Sequence, residues 1–527
     1  MILEPLRNPL PDTASERHHA KDAMPREGEA EKYDSDASDF EKQAPLTWDD
    51  DPRNPYNWPH SKKWRVTVLS CFITFIVGIN GTAMTAAADD INSQFGLSDE
   101  HFPNSFWPVF SWTLAAGIVP LAVLPLMETF GVRKAYLLVY LLFVVFIVPQ
   151  ARAQNFATLI VTRVITGGCA GILENVTSGI CGDLWSDAIE RSLPINLYIF
   201  SLLAGTTIGP VIGGAIMTTL DWRWVFYVQI ILYVSIFPFV FFLLPETRRE
   251  ILEHSQDYQH SRDEERSQDE QKAFSNRTAG HVSPTELFKT AIARPLRMLT
   301  TEPLVLCATL WSSFCFGNAL IFTQSIPLVY RSLYDFSASG TGLVQAALVI
   351  GIAIGLLISP LQDRLYASSG DKTRPDAQQP EARLYLAIPA SFLGLAGGLF
   401  LYAFTTSESH PQPWIAPTIG IALVGVGIQT VMTAASHYVE DAYPTYAASA
   451  IAGVAAGENI VGACLPLAST ALYTQSGLGF VGGSAVLAGI GCGVSFVPVA
   501  FVVFGPWIRS KSRLAATSGR QPGVGMA

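Results

Sequence analysis

Charge is what this chain has least of. Asp, Glu, Lys and Arg make up 15 % of its 527 residues, where a soluble protein of this length carries about 25 %. Catalytic signatures are missing too. There is no G-x-x-x-x-G-K-[ST] loop for nucleotide phosphates, no H-E-x-x-H and no G-x-S-x-G elbow. Together with the lack of any sizeable polar domain, this excludes a soluble enzyme, and no catalytic residue, cofactor or metal is expected. Seven cysteines (Cys71, Cys169, Cys181, Cys307, Cys315, Cys464 and Cys492) form no C-x-x-C pair and fall in or beside apolar stretches. They read as reduced thiols acting as small hydrophobes. The first 45 residues lack an apolar h-region, so a disordered tail without a cleaved signal is expected. The acidic stretch at residues 28–51 supplies much of the net charge of −10, and no nucleic-acid partner is expected.

What the chain does have is long apolar runs, and a mean hydropathy of +0.30. Each run approaches the roughly 20 residues that cross about 30 Å of hydrocarbon. Twelve spans are predicted near 66–87, 104–126, 134–153, 157–179, 193–219, 224–245, 303–327, 339–361, 383–405, 414–435, 447–473 and 480–506. The fold class is therefore an all-α polytopic membrane protein with twelve transmembrane helices in two six-helix bundles. The domains expected are a tail (1–62), a first bundle (63–246), a linker without a fold of its own (247–302), a second bundle (303–507) and a C-terminal tail (508–527). Basic residues gather in loops on one side, among them Arg133, Lys134, Arg191, Arg248, Arg294, Arg364 and Lys372. The positive-inside bias puts both termini and the linker in the cytosol. The second span of each half ends alike, Pro125-Leu126-Met127-Glu128-Thr129 against Pro360-Leu361-Gln362-Asp363-Arg364, which points to an internal repeat.

One stretch dominates the pattern: Gly205–Gly214, GTTIGPVIGG. Gly205, Gly209 and Gly213 recur every four residues and form one bare stripe on a helix. Such a stripe lets a neighbouring helix approach backbone to backbone. Pro210 removes an amide donor and frees the carbonyl of Thr206, so a bend is expected there.

Three ionisable residues sit where hydrocarbon should be, away from the span ends: Arg163 and Glu174 in span 4, and Glu458 in span 11. A charge at mid-membrane costs about 3 kcal/mol, so each must face a partner or a cavity. Arg163 and Glu174 are three turns apart, about 16 Å, on one face. Gly167 and Gly171 are expected to keep the surface between them open. The glutamates are either neutral or paired structural carboxyls, or groups that titrate or bind a cation. Asn459 follows Glu458 in the same loosened, polar segment. In span 7, Trp311, Phe314 and Asn318 share a face, with Gln324 near its outer end. They form either an aromatic and polar binding wall or a face turned to lipid. Asp89 and Asp90 are expected to be solvated.

These stretches together resemble the major facilitator superfamily, in particular fungal twelve-span drug:proton antiporters. The resemblance rests on the collar Asp51–Trp64 (DPRNPYNWPHSKKW), on Arg163 with Gly167 and Gly171, on Gly205–Gly214, on Asp221-Trp222-Arg223-Trp224 and on Pro444–Ser449 with Pro466-Leu467. It implies that Arg163 with one of the two glutamates handles protons, and that Gly205, Gly209, Pro210, Gly213 and Gly214 hinge and seal the halves. It also implies a charge-dependent gate at Glu128, Gly131, Arg133, Asp363 and Arg364. The loop after span 2 departs from the family's usual G-x-L-x-D-R-x-G-R-R: the leading glycine and two basic positions are lost. Glu458 stands where relatives often have an arginine, and Glu174 where they often have a small residue. That points to a cationic or amine-bearing substrate.

The expected function is proton-coupled export of a small organic compound, a drug, toxin or secondary metabolite, by a monomer in the plasma membrane or the vacuolar membrane. Proton-driven import of a nutrient or organic acid is an open alternative, as is a non-transporting membrane sensor.

Overall fold

Hydrocarbon offers no partner to a backbone amide or carbonyl, so an apolar run crosses it as a helix. The computed structural model describes Trp48 and residues 51–100, 102–249, 251–252, 284–370, 379–410, 412–475, 477–512 and 514–515. Most of the expected N-terminal tail, most of the linker, and Lys372 lie outside the described residues. Twelve helices are long and apolar enough to cross a membrane. The first six are His60–Phe95, Asn104–Leu124, Val132–Ala151, Phe156–Leu184, Ala188–Met217 and Trp224–Leu243. The second six are Pro303–Tyr334, Ala338–Ala367, Pro380–Thr405, Ile415–Ala442, Pro444–Thr474 and Gly479–Lys511. They are spans 1 to 12. Span 1 begins and span 12 ends on one side, called here the terminal face.

Residues up to Asn57 form one compact unit and Trp58–Ala527 another. In the first, Arg53 pairs with Asp51 at 3.2 Å, and the Asn54 and Asn57 side chains donate to the carbonyls of Trp48 and Asp51. The second unit holds two hydrophobic cores. One runs through spans 1 to 6, around Phe106, Tyr140, Phe143 and Tyr233. The other runs through spans 7 to 12, around Trp311, Tyr330, Tyr402 and Tyr438, and takes in Ile195, Ile199 and Leu203 of span 5. Two cores of six helices each make the two bundles, and span 5 is the element shared at their boundary.

Helix starts follow local chemistry. Asp187 caps span 5 by accepting from the amides of Ile189 and Glu190, Asn155 caps span 4 through Thr158, and Ser337 caps span 8 through Gly340. Each side-chain oxygen satisfies an amide that has no partner within the helix.

The glycine stripe packs as its spacing requires. A Cβ at Gly205 would collide with the Phe75 carbonyl of span 1, one at Gly209 with Thr82, and one at Gly213 with the Ala83 carbonyl. Gly214 faces the other way, toward Ala338 and Ser339 at the start of span 8, and Gly342 of span 8 meets the carbonyl of Pro210. Span 5 is thus clasped by span 1 inside its own bundle and by span 8 across the boundary.

Three expectations need correction. Several helices outrun their apolar segments: span 1 reaches Phe95, span 7 reaches Tyr334 and span 10 reaches Ala442. Polar contacts between neighbouring helices hold these ends, a signal that hydropathy does not carry. The linker is not structureless throughout, because Pro284–Thr301 is helical. Pro295 and Met298 bury one face of it, and Gly453 of span 11 lies against the Pro295 carbonyl. Asp89 is not merely solvated: it pairs with Arg331 at 2.7 Å.

Candidate functional site

Span 1 breaks where it is needed. Its α-helix ends at Thr82 and a 3₁₀ stretch, Ala83–Ala87, follows. The loosened turn turns the Asn80 and Gly81 carbonyls toward Arg163 of span 4. The guanidinium, fully buried, donates to the Asn80 carbonyl at 2.7 Å, to Asn80 Oδ1 at 3.2 Å, to the Gly81 carbonyl and to the Pro108 carbonyl at 3.1 Å. Trp112 presents its ring at 5.6 Å. Asn80 is itself held, since its amide donates to Gln229 of span 6 at 2.6 Å. Arg163 therefore staples spans 1, 2 and 4 together through backbone oxygens. Among the described residues it has no carboxylate partner, and Glu174 does not approach it.

Gly167 and Gly171 do not leave an open surface, which corrects the sequence-based expectation. A Cβ on either would overlap the backbone of Trp112 or Ala116 in span 2. The four-residue spacing that suggested a groove serves a closed seam, because bare glycine surface in a membrane is worth most as a contact.

The two glutamates lie at similar depths. Glu174 stands ten residues from the terminal-face end of span 4, Tyr198 ten residues into span 5, and Glu458 fourteen residues into span 11. At 1.5 Å per residue they are about 15–21 Å in, toward mid-membrane. Both carboxyls are buried, Glu174 at 5 % and Glu458 at 9 % exposure. Glu174 Oε1 has no hydrogen-bond partner. Glu458 reaches Ser312 of span 7. Tyr198, on the shared span, lies within electrostatic reach of both carboxyls. One bundle supplies Glu174 and Tyr198, the other Glu458 and Ser312.

The expected binding wall on span 7 divides. Trp311 is fully buried and its indole donates to Ser391 of span 9 at 3.1 Å. Phe314 packs toward Gly491 of span 12. Both fill the core of the second bundle, neither facing lipid nor the boundary, because span 7 is wrapped by its own bundle on that side. Asn318 is fully buried, donates to the Phe314 carbonyl at 2.7 Å and leaves Oδ1 unpartnered. Gln324 is half-buried. Asn459 does reach the boundary, where Gly117 of span 2 lies against its Cβ.

The gate residues behave unequally. Gly131 adopts φ 90° at the turn between spans 2 and 3, a conformation that favours glycine. The amides of Val132 and Arg133 both donate to Glu246 at 3.0 Å, and the Arg133 side chain donates to the Phe241 carbonyl. This loop is thus tied down inside its own bundle. The Glu128 side chain lies outside the described residues, and Arg364 is exposed. Asp363 crosses the boundary: it accepts from Ser192 of span 5 and pairs with Arg383 at 3.2 Å.

Asp363 belongs to a larger network that the sequence reading missed. Arg383, at 1 % side-chain exposure, also pairs with Asp441 at 3.1 Å, reaches the Ala188 carbonyl at 3.4 Å, and stacks on Tyr366. Arg191 pairs with Glu440 at 2.9 Å. His437 contacts Asn196 Oδ1 at 2.9 Å and Ser192 at 3.3 Å, while Gln429 donates to the Asn196 carbonyl at 3.3 Å. The signal was present as H-x-x-E-D at 437–441, just past the predicted end of span 10. On the far face, Arg331–Asp89 and the Gly214, Pro210 and Gly342 contacts bridge the same bundles. The halves are closed at both ends of spans 5 and 8.

Comparison with known proteins agrees with this architecture. The description "Major Facilitator Superfamily" matches residues 70–406. The MFS-type transporter paaT of Penicillium rubens is 30 % identical, over 90 % of this chain and 84 % of its own. The efflux pump radE of Floropilus chiversii is 29 % identical over 89 % of this chain and 85 % of its own. The proton:xylose symporter XylE superposes with a TM-score of 0.61 at 15 % identity, covering 85 % of this chain and 96 % of that one. A family match over well over half its length, on twelve spans in two bundles, establishes that the chain belongs to the major facilitator superfamily.

Proposed function

We propose that this protein exports a small organic compound in exchange for protons, by alternating exposure of a mid-membrane site between its bundles. The observation that carries the reading is the pair of buried carboxyls, Glu174 and Glu458, at similar depths on opposite bundles with Tyr198 between their elements. A charged carboxylate in that position takes up either a proton, which leaves it neutral, or a cation, so proton and substrate compete for it. Each proton entering along the membrane potential releases about 2.3 kcal/mol per 100 mV. Arg163, bound to carbonyls, serves as a fixed charge that holds the first bundle in shape, while the carboxyls carry the proton.

The direction of transport is supported by radE, which is named an efflux pump. The unpartnered acceptors Glu174 Oε1 and Asn318 Oδ1 favour a donor-rich, amine-bearing substrate. The basic loops support cytosolic termini, and a single chain contains both bundles, which supports a monomer.

The test is flux in proteoliposomes with an imposed pH gradient, using a panel of amine-bearing and neutral organic compounds. Glu174→Gln and Glu458→Gln are expected to uncouple substrate movement from the gradient and to favour neutral compounds. Wild-type protein that moves substrate with no response to the gradient would falsify the reading.

A further inference from the structure

We infer that a buried seam of hydroxyls between spans 1, 3 and 4 is the path by which a proton passes between Glu174 and the terminal face, inside the first bundle and apart from the boundary between bundles. This rests on the reading of Glu174 as a proton carrier given above, and adds the route by which its proton leaves.

Span 1 places Lys63, Thr67, Ser70 and Thr74 on one face, at the i, i+4, i+7, i+11 spacing of a helix. Span 4 opposes it with Glu174, Thr177 and Cys181, each about one turn from the next. The four hydroxyl side chains are fully buried. The two faces meet where Thr74 Oγ1 lies 3.1 Å from Thr177 Oγ1 and 3.2 Å from the Ser70 carbonyl. Nearer the terminal face, the Trp185 indole donates to Thr67 Oγ1 at 3.2 Å. Trp185 closes that end of the seam, with His60, Trp64 and the Lys63 ammonium each within 5.7 Å of its ring. His60 is exposed there.

Span 3 supplies the remaining hydroxyl. Tyr136 is fully buried, stands beside Thr177 and lies within electrostatic reach of Glu174, as Tyr198 of span 5 also does. Arg163 does not approach this carboxyl. Three polar atoms of the seam have no hydrogen-bond partner: Ser70 Oγ, Tyr136 OH and Glu174 Oε1. A hydroxyl that only holds helices together donates to a nearby carbonyl, as Thr162 and Thr166 do in the same span 4. Ser70 and Tyr136 do not. Unpaired polar atoms are costly in hydrocarbon, and a buried water, making about three hydrogen bonds, joins such groups into a chain.

A hydroxyl or water accepts a proton on a lone pair as it gives up the one it holds. Glu174 thus passes its proton to the neighbouring oxygen and becomes the carboxylate, and the proton that emerges beside Trp185 goes to solvent. No other bond changes. Substrate crosses between the bundles while the proton crosses within one of them, so the cluster around Arg383 can stay closed as the proton leaves.

The experiment follows the proton on Glu174. Full-chain protein in nanodiscs, in mildly acidic buffer without substrate or gradient, is moved from H₂O to D₂O while the infrared carbonyl band of the protonated Glu174 carboxyl is recorded. Glu174→Gln identifies the band by removing it. Wild type is expected to exchange promptly. Ser70→Ala, Thr74→Val and Tyr136→Phe are each expected to slow exchange about tenfold, the effect of one lost hydrogen-bonded step. Thr166→Val removes an equally buried hydroxyl of span 4 that serves Gln150 outside the seam, and is expected to keep the wild-type rate. Unslowed exchange in all three seam variants overturns the proposal, as does equal slowing by Thr166→Val. So does a wild-type protein that shows no Glu174 band, or one that does not exchange, whether or not the variants fold. Because no transport enters the readout, failure of the export reading would show in the flux assay alone.

Discussion

The hydroxyl of Thr82 donates to the carbonyl of Thr206 at 2.5 Å, and Pro210, four residues on, is the residue that leaves this carbonyl without an amide. A defect in span 5 is thus repaired by span 1 at the place where the glycine stripe brings the two backbones together. Thr82→Val keeps the shape and deletes the donor. It is expected to cost about 1–3 kcal/mol, and less in a Pro210→Ala background, where the amide returns. Denaturant unfolding in detergent of the two single variants and the double variant measures that coupling.

The stripe itself makes a sharper contrast. Gly205→Ala forces a methyl into the Phe75 carbonyl, whereas a Cβ at Gly179 meets nothing within 4 Å. Gly205→Ala should therefore sharply reduce the yield of monodisperse protein, and Gly179→Ala should leave it unchanged. Size-exclusion profiles of the two side by side decide the matter.

Arg163 uses three of its nitrogens on three backbone carbonyls. Lysine has one nitrogen and cannot span them. With unsatisfied buried groups costing about 1–3 kcal/mol each, Arg163→Lys should lose about 2–5 kcal/mol of stability and most transport. A variant with wild-type melting and flux would show that a positive charge suffices there.

The two faces of the boundary differ in what their ion pairs are worth. Arg383 is buried among Asp363, Asp441 and Tyr366, while Arg331 and Asp89 are 37 % and 75 % exposed. Removing one partner of a buried pair costs about 3–5 kcal/mol, and an exposed pair contributes about 0–1 kcal/mol. Arg383→Gln should open the terminal face and raise labelling of cysteines placed beneath it. Arg331→Gln should leave labelling on the far face within about fivefold of wild type.

Hydropathy alone reveals twelve helices, because a backbone in hydrocarbon has no other way to satisfy itself. The same holds for the contact face of Gly205, Gly209 and Gly213 and for the loose carbonyl of Thr206: each follows from helical period and from the chemistry of proline. These are local facts, and local facts are written along the chain.

The partners were another matter. The R-x-x-x-G spacing of Arg163 was plain, but its ligands are the carbonyls of Asn80, Gly81 and Pro108, which carry no residue-specific signature. Trp311 and Phe314 shared a helical face, yet the packing of spans 9 and 12 turned that face inward. The cluster of Ser192, Asn196, Asp363, Arg383 and His437 gathers residues up to 245 positions apart. Periodicity tells which side of a helix is apolar or bare. Which helix stands against that side depends on how twelve of them pack at once, and charges from four different spans become a single cluster through that packing.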